Sequence, residues 1–483
     1  MGLLPPAATE TDVLVLGTGG AGLRAAIAAR QAGAQVLVVS KTAADAPNCT
    51  AVAWGGLTHA LPEHRSELFR QIVVTGGFLN NQRLVEVLAR ETPSRVAELA
   101  DFGVATEVLG GAEAARSLGT ARILGASGPR GFVMLRPLRR RAEQMGVRFL
   151  DHTMAARLLR RDDRVTGVLA VRAPDEPPLA IRAKAVIIAT GGGACLYRRH
   201  DNPPGTTGDG IALAYDAGAE LVDMEFVSFQ LPEDRIAGLF SAPDVPRDPP
   251  LRYGSAHYFL GGIVIDGSCR TTVAGLFAAG EATGGLFGAG RLGGAALADV
   301  LVFGAVAGSE AARHAADTAA SDPNEDEVNQ VCRKLEELLT GDGESVERVT
   351  ARLQDLMWRS CGVIKSRESL ETALAELAEL EGRPTTALRV SSADGLFAGL
   401  EYLNMLTLAR LIADASLQRE ETRGGFWRHD FPQPDNSAWL RSIYWRRVGD
   451  EDRSETRPPV MTQLSEAGDP RIGAGCFDYM DSV

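Results

Sequence analysis

The hydrophobic positions near the N-terminus change from a strand-like run to a helical pattern and back. Residues 13–16 form an apolar, β-branched run, and an alanine-rich helical pattern leads to a second apolar run at residues 35–39. The turn between the first run and the helix contains Gly17, Gly19 and Gly22, which is the GxGxxG spacing. In a βαβ unit this spacing permits a tight turn and brings a pyrophosphate close to the helix N-terminus. The pattern therefore predicts a dinucleotide-binding site.

Later apolar segments extend this pattern. Residues 185–189 form a continuous apolar run that ends in a threonine and three glycines, and residues 275–281 form a strand that ends in Glu281. Residues 295–315 predict a long helix, and residues 328–417 have apolar positions at helical spacing. Strands that alternate with helices, followed by helices alone, predict an α/β fold with a C-terminal helical bundle.

Composition and charge argue against several classes of function. The chain has 483 residues, of which 45% are hydrophobic, and a formal net charge of −12. Without a long basic stretch, we expect no nucleic-acid binding. We find no apolar run long enough to span a bilayer and no signal-peptide pattern, so we expect no direct membrane span and a cytoplasmic location. The six cysteines are scattered without a CxxC pair, which predicts no metal or iron–sulfur site and no disulfide framework.

The second strand lacks the acidic residue that commonly binds the ribose of NAD. Ser40 and Lys41 occupy that position. The Ser40 hydroxyl is still able to hydrogen-bond a ribose, but the usual NAD pattern is broken. This favours a flavin dinucleotide held inside the protein.

Several motifs resemble, in the same order, those of the succinate dehydrogenase/fumarate reductase flavoproteins and their relative L-aspartate oxidase. They are NCTAVAWGG at 48–56, TTGDG at 206–210, DMEF at 223–226, HYFLGGI at 257–263, GAGRLGG at 288–294 and REETRGGFWRHDFP at 419–432. The resemblance implies a bound FAD and a strand at DMEF. It also implies that residues 419–432 fold toward the flavin edge and a partner subunit. The alternative is that their arginines tie the helical domain to the FAD domain.

The glycine patterns and the resemblance together define the residues expected to bind FAD. These are Gly17, Gly19, Gly20, Ala21, Gly22, Ser40, Lys41, Thr50, Gly55, Gly56, Ala189, Thr190, Gly191, Gly192, Asp209, Gly280, Glu281, Arg291, Gly294, Ala295 and Leu297. Family members that bind FAD covalently have a histidine where this chain has Cys49. We therefore expect non-covalent FAD, with a cysteinyl linkage at Cys49 as the less favoured alternative.

Three residues are expected at the substrate. By resemblance, Arg291 and His257 bind a substrate carboxylate, because a guanidinium matches a carboxylate with two parallel hydrogen bonds. The alternatives are that Arg291 is a surface cation and His257 a core or surface histidine. Gln230 replaces a histidine of the family and has only neutral hydrogen bonds to offer.

The family inserts a capping domain, including a proton-delivering arginine, after this glutamine position. Here the corresponding stretch is a loop rich in proline and aspartate, residues 231–256. We expect an α/β fold with a Rossmann-like FAD-binding domain in two sequence pieces and a vestigial capping loop. The expected divisions are residues 1–230 and 257–320 for the FAD-binding domain, 231–256 for the loop, 321–432 for the helical domain and 433–483 for a tail that lies along a surface.

The resemblance leaves three hypotheses for function. The first is an FAD-dependent oxidoreductase subunit that exchanges hydride or electrons with a carboxylate or thioester-linked enoate, in complex with an iron–sulfur protein. The second is a flavin electron-transfer module of a multi-subunit complex, without an organic substrate of its own. The third is an L-aspartate-oxidase-like enzyme, which is disfavoured because the cap residues that would recognise the amino acid are missing.

Overall fold

The computed structural model describes residues 6–59, 64–108, 121–124, 130–172, 176–230, 254–390, 393–449 and 451–464. Most of the predicted capping loop and the end of the predicted tail lie outside these residues. Ser255 and Ala256, which were assigned to the loop, lie at the start of a strand. The following elements therefore concern the two pieces of the FAD-binding domain and the helical domain.

The strands and helices begin and end as follows. The strands are β1 (Ala7–Leu16), β2 (Val36–Val39), β3 (Gly56–Leu57), β4 (Thr106–Val108), β5 (Ala121–Ile123), β6 (Arg148–Leu150), β7 (Met154–Arg161), β8 (Arg164–Val171), β9 (Leu179–Ile188), β10 (Leu221–Val222), β11 (Val227–Gln230), β12 (Ser255–Phe259), β13 (Gly262–Ile263), β14 (Leu276–Ala278), β15 (Glu344–Ser345), β16 (Ile364–Lys365), β17 (Leu388–Arg389), β18 (Trp427–Arg428), β19 (Ser442–Val448) and β20 (Glu451–Arg457). The helices are α1 (Gly20–Gln31), α2 (Cys49–Val52), α3 (Arg65–Thr75), α4 (Gln82–Ala97), α5 (Gly131–Gln144), α6 (Asp209–Asp216), α7 (Ala295–Ala316), α8 (Glu325–Thr340), α9 (Val346–Cys361), α10 (Arg367–Glu381), α11 (Ala393–Gln418) and α12 (Asn436–Trp439).

The central sheet has the strand order β6-β2-β1-β9-β8-β7, with β14 paired to β9. Strands β6, β2, β1, β9 and β14 are parallel. Strands β2 and β14 and the C-terminal ends of β1 and β9 are buried on both faces, which explains why the sequence reads as continuous apolar runs there. Helices α1 and α7 pack against each other and against this sheet, and α7 covers the predicted span of 295–315. The predicted dinucleotide-binding sheet is confirmed.

The expected DMEF strand is wrong. Strand β10 ends at Val222, and Asp223 has φ of +60°, so the backbone leaves the extended region there. The N–H of Phe226 donates to the Asp223 carbonyl oxygen at 3.0 Å, which closes a turn. The turn buries Asp223 and Glu225 together.

The helical bundle predicted over residues 328–417 is confirmed by α8, α9, α10 and α11. The arginines of residues 419–432 join this bundle to the FAD-binding domain. Arg419 donates to Glu225 at 2.7 Å, and Arg423 donates to the carbonyl oxygen of Gly77 at 3.0 Å. Neither of these arginines, nor Arg428, is among the residues lining the large cavity described below. Of the two interpretations of this segment, the inter-domain tie is the one that its contacts support.

Part of the predicted tail forms a β-hairpin that joins a sheet of the preceding domain. Strands β19 and β20 form an antiparallel hairpin, and β19 pairs with β10 of the preceding domain. Ile443 and Trp445 are buried by this pairing, with 0% and 4% of their surfaces exposed. Strand β20 is polar and exposed. Its polar composition therefore does not indicate a strand, and the strand is defined by backbone pairing with β19.

Two helices are long and apolar enough to pass a membrane-span criterion on length and composition, contrary to the sequence expectation. They are Ala295–Ala316 and Gly395–Gln418, and 72% and 56% of their most apolar windows are buried inside the protein. The first packs in the core of the FAD-binding domain and the second in the helical bundle. A buried core helix satisfies the same criterion, so this is weak evidence for a span.

Candidate functional site

A cavity of about 760 Å³ lies where the parallel strands of the central sheet end. The register aligns Leu16 of β1 with Val39 of β2 and Ile188 of β9, so the three strands finish at one edge. Helix α1 begins just beyond this edge at Gly20, and Gly19, Gly20 and Ala21 at its start line the cavity. The carboxyl edge of a parallel sheet, beside a helix N-terminus, is where α/β folds bind dinucleotides.

Close backbone contacts explain two of the glycines in the first turn. Gly17 has φ of +111°, and a Cβ atom there would lie 2.3 Å from the Ala189 carbonyl oxygen. At Gly22, a Cβ atom would lie 2.0 Å from the Gly17 carbonyl oxygen. Any side chain at either position would therefore push the first helix away from the ends of β1 and β9. These contacts keep the helix N-terminus at the cavity.

Most of the predicted site residues surround this cavity. Those that line it are Gly17, Gly19, Gly20, Ala21, Ser40, Lys41, Thr50, Gly55, Gly56, Ala189, Thr190, Gly191, Asp209, Gln230, His257, Glu281, Arg291, Gly294 and Leu297. Gly22, Gly192, Gly280 and Ala295 lie behind them. A Cβ atom at Gly192 would lie 2.1 Å from Glu281, so this glycine makes room for that side chain. The tertiary structure thus brings nearly the whole predicted set together, and each residue's contact with a cofactor stays a prediction.

Lys41 is held in a charged cluster at the cavity wall. Its Nζ donates to Asp209 and Glu401 at 2.6 Å each and to the Thr207 hydroxyl at 2.8 Å. Burial opposes the charge, but the two carboxylates outweigh it and raise the pKa of Lys41. Because Glu401 belongs to α11, the lysine also connects the cavity wall to the helical bundle. Sequence reasoning placed Lys41 at the cofactor without anticipating this second role.

Cys49 lies at the cavity wall and is half-buried. Its Sγ donates to the Asn202 side-chain oxygen at 2.8 Å. Burial, reinforced by the nearby Glu281 carboxylate, raises the pKa of the Cys49 thiol strongly. A thiol in this environment stays protonated and is a poor nucleophile, because the thiolate is the reactive form.

Arg291 reaches the cavity without an acidic partner among the described residues. Its guanidinium lies 4.5 Å from the centre of the Tyr258 ring. Nη1 donates to the Leu292 carbonyl oxygen at 3.4 Å, and Nη2 lies 3.3 Å from Nε2 of His257. Its buried Nε has no hydrogen-bond partner in the described part of the chain. A partly buried guanidinium with unused donors is a site for an anion.

His257 is aimed into the cavity by a β-bulge. Strand β11 pairs Ser228 with Tyr258 and Phe229 with Ala256, so His257 is the extra residue between them. Its Nδ1 lies 2.9 Å and 3.0 Å from the two carboxylate oxygens of Asp201. A bulge of this kind redirects one side chain out of the strand pattern. Gln230, at the end of β11, is exposed at the same cavity.

Two buried acids lie close to Arg291. Glu281 accepts a hydrogen bond from the Phe259 N–H at 3.0 Å, and burial raises its pKa to about 7. Asp299 accepts a hydrogen bond from the Tyr258 hydroxyl at 3.3 Å, and burial raises its pKa to about 7 as well. Neither carboxylate forms an ion pair with Arg291 in the described residues. Arg291 lowers the pKa of both acids and so offsets part of the effect of burial.

Sequence reasoning missed several residues at the cavity. Asp201, Asn202 and Thr153 line it but belong to no motif that was singled out for chemistry. Thr153 follows β6, which lies beside β2, so its place at the carboxyl edge was available from the strand pattern. No local sequence pattern identified Asp201 as a site residue, because its partner His257 is 56 residues away.

The sequence matches two described protein families. Residues 12–239 and 240–297 match the family described as "FAD binding domain", and residues 350–471 match "Fumarate reductase flavoprotein C-term". A "Fumarate reductase (CoM/CoB)" subunit of Methanothermobacter marburgensis is 29% identical over 535 aligned positions, covering 91% of this chain and 97% of the relative. The "Fumarate reductase flavoprotein subunit" of Escherichia coli is 27% identical, with 98% of each chain covered. An L-aspartate oxidase from Streptomyces coelicolor is 29% identical, with 92% of each chain covered.

Solved structures show the same likeness. Escherichia coli quinol fumarate reductase FrdA superposes with a TM-score of 0.85 at 25% identity, covering 97% of this chain and 99% of that one. Adenylylsulfate reductase from Archaeoglobus fulgidus superposes with a TM-score of 0.76 at 16% identity, covering 95% of this chain and 98% of that one. The second similarity concerns the fold alone.

Proposed function

The chain belongs to the FAD-binding-domain family of fumarate-reductase-like flavoproteins, and on that premise we propose that it transfers electrons between FAD and a small organic carboxylate. The FAD-dependent oxidoreductase class follows from the family. The carboxylate substrate is our proposal. Bound FAD would supply the hydride or electron transfer, and the residues of this chain would bind and orient the anion.

The observation that supports this proposal is the unpaired guanidinium of Arg291. Among the described residues, no acidic side chain forms an ion pair with it, and its buried Nε donates to no acceptor. An arginine left in this state at the wall of a 760 Å³ cavity is suited to a carboxylate that arrives from solution. His257 lies within 3.3 Å and extends the same anion site.

Gln230 narrows the proposed substrate class. It is the polar side chain on the β11 side of the cavity, and it carries no charge. A neutral amide is suited to a carbonyl oxygen of an ester, amide or thioester rather than to a second carboxylate. The proposed substrate is therefore an enoate with one free carboxylate or a thioester-linked enoate.

We further propose that FAD is bound without a covalent link and that the chain is a cytoplasmic member of a larger complex. The raised pKa of the Cys49 thiol argues against a cysteinyl linkage. The two parts of the family match meet between residues 239 and 240, inside the predicted capping loop, which supports a site that lacks a full cap. A partner with iron–sulfur clusters would supply electrons, because no group of three or more potential metal ligands is found in the described residues.

An anaerobic reoxidation experiment tests the proposed substrate. The bound flavin is reduced chemically and mixed with fumarate, crotonate and enoyl thioesters in turn, and the return of oxidised flavin absorbance is followed. We expect rapid reoxidation by at least one enoate. We also expect Arg291→Ala to keep its flavin and lose the reaction.

Two results would contradict the proposal. Turnover at the wild-type rate in Arg291→Ala would show that this arginine does not bind the anion. No reaction with any enoate, together with fast electron exchange with an iron–sulfur protein, would instead identify the chain as an electron-transfer module without its own organic substrate.

A further inference from the structure

We propose that Asp201 is a positioning residue for the anion site, which it serves by holding His257 beside Arg291. The inference rests on the proposed function, because it concerns the same site. Asp201 is 31% exposed and His257 is 38% exposed, so both side chains lie at the open side of the cavity. Asp201, His257 and Arg291 form a continuous row of polar contacts.

The contacts assign a distinct function to each side of the imidazole ring. Nδ1 of His257 lies within hydrogen-bond distance of both Asp201 oxygens, and Nε2 lies 3.3 Å from Nη2 of Arg291. A carboxylate at Nδ1 favours a proton on that nitrogen. Nε2 then carries the lone pair and accepts from Nη2 of Arg291. Asp201 therefore fixes both the tautomer and the orientation of the ring.

This arrangement serves the anion site through Arg291. Because Nε2 of His257 lies 3.3 Å from Nη2, the ring holds that end of the guanidinium in place, and the remaining donors of Arg291 are left for a bound carboxylate. Without Asp201, the ring would lose the contact that fixes its Nδ1 side, and the guanidinium would lose this support.

The loop that carries Asp201 is tied to strand β12 at several points. The N–H of Ala256 donates to the Arg199 carbonyl oxygen at 2.9 Å, and the N–H of Asp201 donates to the Ala256 carbonyl oxygen at 3.2 Å. The side chain of Asn202 donates to the His257 carbonyl oxygen at 2.8 Å. These bonds fix the loop in register with the bulge that presents the histidine. The position of Asp201 is therefore set by backbone contacts as well as by its own side chain.

The other polar contacts of Asp201 leave the histidine as its charged partner. The Asn202 amide donates to Oδ1 at 2.9 Å, and no lysine or arginine forms an ion pair with Asp201 within the described ranges. Asn202 in turn accepts from Cys49 at 2.8 Å. The polar row thus continues from the anion site to the cysteine beside the predicted flavin position.

Anion titration of the oxidised holoenzyme tests this assignment. Fumarate and crotonate are added separately to wild type, Asp201→Asn, His257→Gln and the double variant, and the change in flavin absorbance gives each dissociation constant. We expect Asp201→Asn to weaken binding about 10-fold, the value of one charge-assisted hydrogen bond. We expect the double variant to bind no more weakly than His257→Gln alone, because Asp201 acts through the histidine.

Matched variants separate positioning from general damage. Asp355→Asn removes a carboxylate of similar exposure, 33%, that pairs with Arg198, and it should leave anion binding unchanged. Asp201→Glu keeps the charge and should recover part of the lost affinity. Flavin content and melting temperature, measured for every variant, establish that each protein is folded.

The outcomes distinguish this inference from the proposed function. Binding in Asp201→Asn that equals the wild type overturns the positioning role alone. A double variant weaker by the product of the two single effects also overturns it, because the residues would then act independently. Failure of the wild-type holoenzyme to bind either anion overturns the proposed free-carboxylate substrate and the positioning role with it.

Discussion

The arginines at the interface of the helical domain and the arginine at the cavity have opposite surroundings. Arg419, Arg423 and Arg428 are buried, with at most 2% of their surfaces exposed, and each donates to at least one carboxylate. Arg423 makes two parallel hydrogen bonds to Glu421, each of 2.8 Å. Arg291 contacts a carbonyl oxygen, an imidazole and an aromatic ring, with no carboxylate among the described residues.

This difference separates structural arginines from a functional one. A buried guanidinium destabilises the fold unless carboxylates and carbonyl oxygens satisfy it, and the interface provides both. The cavity supplies neither in full, so the unused donors of Arg291 are left for a ligand. The family motifs contain all four residues, and motif membership alone does not show which of them binds a ligand.

The largest expected effect is the loss of an interface arginine. Arg419→Ala leaves Glu225 buried without its ion-pair partner and Glu421 with Arg423 alone, which should lower the free energy of unfolding by about 3–5 kcal/mol. Thermal unfolding and the yield of soluble protein measure this. Arg453→Ala, which breaks an exposed ion pair with Glu451, is the control and should change stability by less than about 0.5 kcal/mol. If Arg419→Ala melted at the same temperature as the wild type, the structural role of Arg419 would be contradicted.

The opposite result is expected at the cavity. Arg291→Ala should leave the free energy of unfolding within about 0.5 kcal/mol of the wild type, because no internal carboxylate loses a partner. The same change should weaken fumarate or crotonate binding at least about 30-fold, since two charge-assisted hydrogen bonds are lost. Thermal unfolding and flavin-monitored titration measure the two effects. A large loss of stability with unchanged anion binding would place Arg291 with the structural arginines.

A buried acid beside Arg419 gives the interface a pH dependence. Burial, followed by repulsion from Glu225, raises the pKa of Asp223 to about 8. Between about pH 4 and pH 8 the folded protein therefore holds a proton that the unfolded chain has released, and stability falls as the pH rises through this range. Asparagine does not ionise, so the free energy of unfolding of Asp223→Asn should not fall in this way. Between pH 5 and pH 8 it should therefore rise relative to that of the wild type, by about 1–2 kcal/mol at most.

Unfolding midpoints at several pH values measure this difference. Asp163→Asn is the control, because that carboxylate is fully exposed and should give a curve parallel to the wild type. A constant offset between Asp223→Asn and the wild type over the whole range would show that Asp223 is ionised in the folded state.

The smallest effect is expected at Cys49. Because its raised pKa keeps the thiol protonated, Cys49→Ser should retain FAD and change stability by about 0.5 kcal/mol or less. Flavin should also be released from the denatured wild-type protein, which acid precipitation and absorbance of the supernatant measure. Flavin that stays with the denatured wild-type chain but leaves Cys49→Ser would instead establish a cysteinyl linkage.

Local patterns predicted much of the fold. The apolar runs at 13–16, 35–39 and 185–189 became parallel strands of one sheet, and the helical bundle lies where helical spacing placed it. The DMEF strand was wrong because Asp223 adopts a left-handed backbone conformation that residue type does not reveal. The hairpin strand β20 was missed because its residues are polar and its only requirement is backbone pairing with β19.

By itself, the sequence determined the dinucleotide-binding unit, since glycine spacing and apolar periodicity are properties of neighbouring residues. It also supplied the motifs that identify the FAD-dependent class. Only the tertiary structure decided which charges are satisfied. Lys41 pairs with Glu401, which is 360 positions away in the sequence, and His257 contacts Asp201, which is 56 positions away. Arg291 forms no ion pair with an acidic residue among the described residues. Ion pairing depends on side-chain positions set by packing between distant segments, and no local pattern encodes them.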